Sequence, residues 1–187
     1  TFSEICGVAD DSFKAVLLAP LPVTDDEDEE ELLSKNNSSV ITQFTLAKDD
    51  TENAAQYLFG GDAEVAIWEK IWAEYSETPE VLAYDVLIAP HHCSWRSLSH
   101  DSWSKKGKDA VVSEDARSAL SQANGGAIIL ASSKSVIDDD NDPPCIRAKE
   151  EYEAILSEAE INGEFRCLED EKGDKPLKME ITEHGPK

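Results

Sequence analysis

The sequence predicts an α/β fold, a mixed sheet with flanking helices, on three observations. Two strand-like segments stand close together in the first third of the chain, short apolar strands then alternate with amphipathic helical stretches, and 187 residues, 40% hydrophobic with four Trp, suffice for one core. The whole chain, 1–187, therefore reads as a single domain.

Phe13 to Ala19 is the first predicted strand, closed by Pro20 and Pro22. An acidic loop at about 24–36 follows, because mutual repulsion among the carboxylates of Asp25 to Glu31 favours an exposed excursion. Ser39 to Ala47 alternates Val40, Thr42, Phe44 and Leu46 against Ile41, Gln43 and Thr45, and Ala55 to Phe59 ends at Gly60-Gly61, so the two form a hairpin with a polar turn. Trp68, Ile71, Trp72 and Tyr75 recur at helical spacing within Ala63 to Tyr75, with Glu69, Lys70 and Glu74 on the other side. Asp85 to Ala89 is a short buried strand that runs into Pro90, His91 and His92. A helix over Ser113 to Ala123 leads through Asn124-Gly125-Gly126 into a strand at Ala127 to Ala131. Tyr152, Ile155, Leu156 and Ala159 mark a further helix, and late strands are expected at Glu164 to Leu168 and Leu177 to Thr182.

Composition narrows the function. Forty acidic against 17 basic side chains give a net charge of -23, and a chain that repels polyanions lacks the basic face with which sequence readers displace counterions from nucleic acid. No run reaches the roughly 18 apolar residues a membrane-spanning helix requires. Cys6, Cys93, Cys145 and Cys167 form no Cys-x-x-Cys pair, so reduced thiols of a cytoplasmic protein are expected. The chain begins at Thr1 without an initiator Met or a basic-then-apolar leader, the pattern expected of a start inside a longer protein.

Chemistry-bearing residues gather at two strand ends. In Leu58-Phe59-Gly60-Gly61-Asp62-Ala63-Glu64 a strand stops at two glycines and delivers a carboxylate just before a helix; on its own Asp62 reads as that helix's N-cap. In Ile88-Ala89-Pro90-His91-His92-Cys93-Ser94-Trp95 two adjacent imidazoles follow a buried strand, and a neutral imidazole is the commonest transition-metal ligand. Successive parallel strands joined by one helix would bring the two ends together.

The pattern Asn36-Asn37-Ser38-Ser39-Val40, then Gly60-Gly61-Asp62-Ala63-Glu64, then Ala89-Pro90-His91-His92-Cys93-Ser94, resembles the second half of ComEC-like metallo-β-lactamase-fold proteins, over roughly Phe13 to Tyr152. Their usual forms are Asn-Ser before a strand, Thr-Gly-Asp, and Pro-His-His-Gly-Ser. The resemblance implies the C-terminal half of an αββα sandwich with two zinc ions, or manganese, at a sheet edge. It assigns Asp62 as the bridging ligand and His91 as a second ligand, with His92 and Asn37 behind them as orienting residues. Ser133 and Lys134, at the same edge after the strand Ala127 to Ala131, become candidate phosphate contacts, and Trp95, Arg96 and Trp103 candidates for a substrate groove.

The departures are equally plain. The family's His-x-His-x-Asp-His motif belongs to the first half of the fold, and no His precedes His91 here. Asn36 and Asn37 stand where other branches place a His, Cys93 where the family has Gly, and Cys145 near a common His position. A catalytic zinc needs three protein ligands and an open position, so the isolated chain is expected to be inert. Completed by its N-terminal half, or by self-association, it would be a metal-dependent hydrolase acting on a phosphodiester. The competing expectation is a non-catalytic acidic module, or a degenerate hydrolase half, that works by protein binding.

Overall fold

A computed structural model of the chain describes residues 4–5, 8–22, 33–158, 160–171 and 176–187. The acidic run Asp25 to Glu31, Cys6 and Ala159 lie outside the described residues. A short N-terminal hairpin pairs β1 (Glu4–Ile5) with β2 (Val8–Ala9). The main sheet has six strands: β3 (Phe13–Ala19), β4 (Ile41–Lys48), β5 (Thr51–Phe59), β6 (Tyr84–Ile88), β7 (Ala123–Ala131) and β8 (Glu164–Cys167), neighbours in that order. The first three are antiparallel and the last four mutually parallel, a mixed sheet as expected.

The helices are α1 (Val65–Tyr75), the single turn α2 (Trp103–Lys106), α3 (Glu114–Leu120) and α4 (Ile146–Leu156). α1, α3 and α4 make the crossovers from β5 to β6, β6 to β7 and β7 to β8. Because strand order advances in one direction and such crossovers share one hand, all three cover the same face. Their buried residues, Trp68 and Ile71, Ala116 and Leu120, Tyr152 and Ile155, accordingly merge with Leu58, Leu87 and Ile129 into one core cluster. Among the described residues no helix is long and apolar enough to cross a membrane.

Several boundaries differ from the sequence reading for identifiable reasons. β5 runs back to Thr51 because Asp49, at φ 54°, reverses the chain immediately after β4. Asn124-Gly125-Gly126 lies inside β7: the register passes from Tyr84↔Ala123 to Val86↔Ile128, so these residues bulge out, and Asn124 bonds Asp85 and Gln56 across the sheet. The expected strand Leu177 to Thr182 is reduced to β9 (Ile181–Thr182), which pairs only with β10 (Gly185–Pro186) and packs on β5 rather than joining the main ladder. Trp95 is fully buried, with the Arg147 guanidinium 5.8 Å from its ring centroid, so it lines no substrate groove.

Among the described residues the second face of the sheet carries no helix. Tyr57, Phe59, Val86, Ile88 and Leu130 alternate with the core-facing residues and, with Leu177 and Met179 of the C-terminal segment, line an open apolar cavity of about 700 Å³. Phe13, Phe44 and Phe59 form a ladder across three strands, each centroid 5.4 Å from the next, and Leu17 and Phe59 are 52% and 39% exposed. Water against such a face is unfavourable, so the purified chain is expected to bind a hydrophobic dye or to self-associate in light scattering. A strict monomer that binds no dye would contradict this exposure.

Candidate metal centre

β5 and β6 are parallel neighbours in the register Phe59↔Ile88, so their C-terminal ends deliver two loops to one edge of the sheet. The loops are stitched together: the Gly60 amide donates to the Ile88 carbonyl at 3.3 Å and the His91 amide to the Gly61 carbonyl at 2.8 Å. Glycine is required at both positions. A Cβ on Gly60 would meet Cβ of Pro90 at 2.8 Å, while Gly61 sits at φ 54° with Ser39 and the Val40 carbonyl each 2.9 Å from where its Cβ would be.

His91, His92 and Cys93 have φ of 47°, 55° and 68°, three consecutive non-glycine residues in the left-handed region. That conformation costs about 1–2 kcal/mol per residue. Amide bonds around the turn offset it: Cys93 to the Pro90 carbonyl at 3.1 Å, and Cys145 to the Cys93 carbonyl at 3.0 Å. Strain of this kind collects where side chains must be aimed.

Asp62 is not an N-cap. The capping position of α1 is Glu64, with no side-chain cap bond, which leaves the Asp62 carboxylate to another role. Its amide donates to Ser39 Oγ at 3.1 Å, and next to it Asn37 Oδ1 accepts from the Glu64 amide while Asn36 Nδ2 donates to Glu64 Oε1, both at 3.2 Å. The Asn-Asn-Ser-Ser segment thus braces the Gly-Asp loop from outside.

The ring that faces Asp62 is that of His92, with Nε2 3.7 Å from Asp62 Oδ1 and both side chains half-exposed. His92 Nδ1 lies 2.9 Å from the Ser132 carbonyl and 3.2 Å from its hydroxyl. A carbonyl only accepts, so Nδ1 carries the proton and, in the neutral ring, Nε2 presents a lone pair to the carboxylate. Two donors about 2.0–2.2 Å from a shared tetrahedral ion stand roughly 3.4 Å apart, which this pair approaches within a small side-chain movement. The resemblance pointed to His91 as the ligand and to His92 behind it, whereas the imidazole seen beside the Asp62 carboxylate is that of His92. His91, expected as the ligand, has a buried Nδ1 without a hydrogen-bond partner. Among the described residues no group of three or more His, Cys, Asp or Glu side chains is arranged to hold a metal.

A pocket of about 410 Å³ opens beside His92, lined by Ser133, Lys134, Ser135, Asp139 and Asn141 among others. Ser133 and Lys134 therefore join the site edge, but the Ser133 hydroxyl is donated to the Lys134 carbonyl at 2.9 Å and is not turned to the pocket as a free donor. Asp142 accepts from Ser94 Oγ at 2.6 Å and the Trp95 amide at 3.0 Å, tying the far wall to the His-His turn. Arg96 and Trp103 line other, separate depressions. Burial pushes the Cys93 thiol far above its ordinary value, with the neighbouring Cys145 adding to the effect, so Cys93 stays protonated and is no nucleophile.

Sequence reasoning passed over Ser132 and Asp142, which orient the site, and named Ser39 only as part of the Asn-Asn-Ser-Ser motif. Ser132 directly follows the strand that ends at Ala131, and that position is its one sequence signal. No family model, curated protein or solved structure matches the chain.

Proposed function

We propose that the chain is the C-terminal half of a metallo-β-lactamase-type hydrolase of the ComEC-like branch, and that Asp62 and His92 are two ligands of its metal centre. The observation that carries this reading is the setting of the His92 ring: Nδ1 lies 2.9 Å from the Ser132 carbonyl and Nε2 faces Asp62 from 3.7 Å, the arrangement by which proteins orient metal-bound imidazoles. The donor set, one carboxylate oxygen and one imidazole nitrogen, suits zinc or manganese. Bound there, the metal would act as a Lewis acid toward a phosphodiester.

The chain's own residues have definite tasks in this scheme. Ser132 holds the His92 tautomer, Ser39 and the Asn36–Asn37 segment hold the Gly-Asp loop, and the left-handed turn aims the imidazole. The remaining ligands would come from a companion half bearing His-x-His-x-Asp-His, whose layer would cover the apolar face around Phe44 and Phe59. The alternative reading is an acidic module that works by binding, and the net charge of -23 is the observation that speaks for it.

Elemental analysis of the isolated chain is expected to find no stoichiometric zinc or manganese, and the chain is expected not to hydrolyse a generic phosphodiester. Two tightly held ions per chain would refute the half-site account. Zinc titration followed by imidazole ¹⁵N shifts separates the readings: His92 Nε2 should respond weakly, and Asp62→Asn should weaken the response at least about tenfold. A His92 response that is unchanged in Asp62→Asn, or no response in the unaltered chain, would leave the binding-module reading.

A further inference from the structure

We infer that the pocket beside His92 admits a small molecule carrying a single phosphodiester and excludes nucleic-acid polymers. The inference rests on the hydrolase reading of the Asp62–His92 edge and names the substrate class that edge serves.

Both walls of the pocket are anchored before any ligand arrives. On one side Cys167 Sγ donates to the carbonyls of Ser133 and Lys134 at 3.3 and 3.1 Å, and the Ser135 amide donates to Glu169 at 2.7 Å. On the other, the Asn141 amide donates to Asp139 at 2.9 Å and Asp142 is held by Ser94 and Trp95. A volume of about 410 Å³ lies in the low range of small-molecule sites, which run roughly 300–1,000 Å³, and fits a nucleoside-sized group.

The donors limit the charge that can be held. The Ser133 hydroxyl is committed to the Lys134 carbonyl and the Ser135 hydroxyl to Asp170, so neither is free to donate to phosphate oxygens. Among the described residues of the lining the one lysine or arginine is Lys134, an exposed ammonium. One cation neutralises one phosphate. Asp139 stands in the same lining, and Glu169 and Asp170 accept hydrogen bonds from Ser135, so carboxylates flank the ammonium on both sides. Further phosphates of a polymer would meet these carboxylates and the surface of a chain of net charge -23, a repulsion only partly screened at physiological salt. A monoanion meets that repulsion once, whereas an oligonucleotide meets it at every neighbouring phosphate.

The test is an amide NMR titration of the full chain with thymidylyl-thymidine, which has one phosphate, and with an oligothymidylate of about twenty residues, at low and at about 0.15 M salt. The dinucleotide should shift residues 133–135 and 139–141 saturably, and the oligomer should bind at least about tenfold more weakly at low salt. Lys134→Gln should lower dinucleotide affinity by about fivefold and Lys134→Arg should retain it. An oligomer that binds as tightly as the dinucleotide, an unaffected Lys134→Gln, or no binding of the dinucleotide would each overturn the inference. A wild-type chain that binds dinucleotide without any zinc response defeats the hydrolase reading and leaves the pocket assignment standing.

Discussion

Truncating Trp68 to alanine is expected to destabilise the chain by about 3–5 kcal/mol, the largest single effect we anticipate in the core. The indole is completely buried on α1, and its Nε1 donates to the Ala63 carbonyl at 3.3 Å. Removing it leaves a cavity between α1 and the sheet that the neighbouring Ile67, Ile71 and Leu82 cannot fill without moving backbone. It also takes away one of two donors at the Ala63 carbonyl, the other being Ser97 Oγ at 3.0 Å, directly after Asp62. Chemical denaturation would show the midpoint fall, and the thermal midpoint should drop by roughly 6–20 °C for a domain of this size. Trp72→Ala, on the partly buried margin of the same helix, is the comparison and should cost clearly less. Equal effects for the two would mean that the burial of α1 is wrongly assigned.

Replacing Gly60 with alanine should cost about 2–3 kcal/mol and, more tellingly, separate the two halves of the site. The new methyl would stand 2.8 Å from Cβ and 3.1 Å from Cα of Pro90, and a proline ring fixed in its turn has little room to yield. The Gly60 and His91 amide bonds that clamp the loops would lengthen, so the Asp62–His92 pair should open. The His92 ¹⁵N spectrum reads this directly through loss of the Nδ1–H tautomer fixed by Ser132. Gly125→Ala serves as control, because its Cβ would meet nothing closer than the Glu160 carbonyl at 3.4 Å. A Gly60→Ala protein with wild-type stability and an unchanged His92 spectrum would show that the two loops are not interlocked as described.

Local pattern determined much of this architecture before any tertiary contact is considered. Period-two alternation placed β4, short apolar runs placed β3 and β6, the spacing of Trp68, Ile71, Trp72 and Tyr75 placed α1, and the order of strands and helices set the mixed α/β class, because these patterns follow from backbone geometry and local burial. The glycines before Asp62 and the paired histidines after Ile88 were legible for the same reason: they stand where a strand must end. Folding decided what depends on residues distant in sequence. Asn124-Gly125-Gly126 was drawn into β7 as a bulge because Asp85 and Gln56 offer Asn124 partners, which no local propensity encodes. Leu177 to Thr182 fell out of the sheet and onto its open face, where the apolar side chains of β5 and β6 give Leu177 and Met179 a better burial than an edge strand would. Which imidazole meets Asp62 was decided in the same way. Adjacent histidines are equivalent in sequence, and the choice of His92 came from a left-handed turn and from a carbonyl at Ser132, forty residues on, that exists at that position only once β6 and β7 lie side by side.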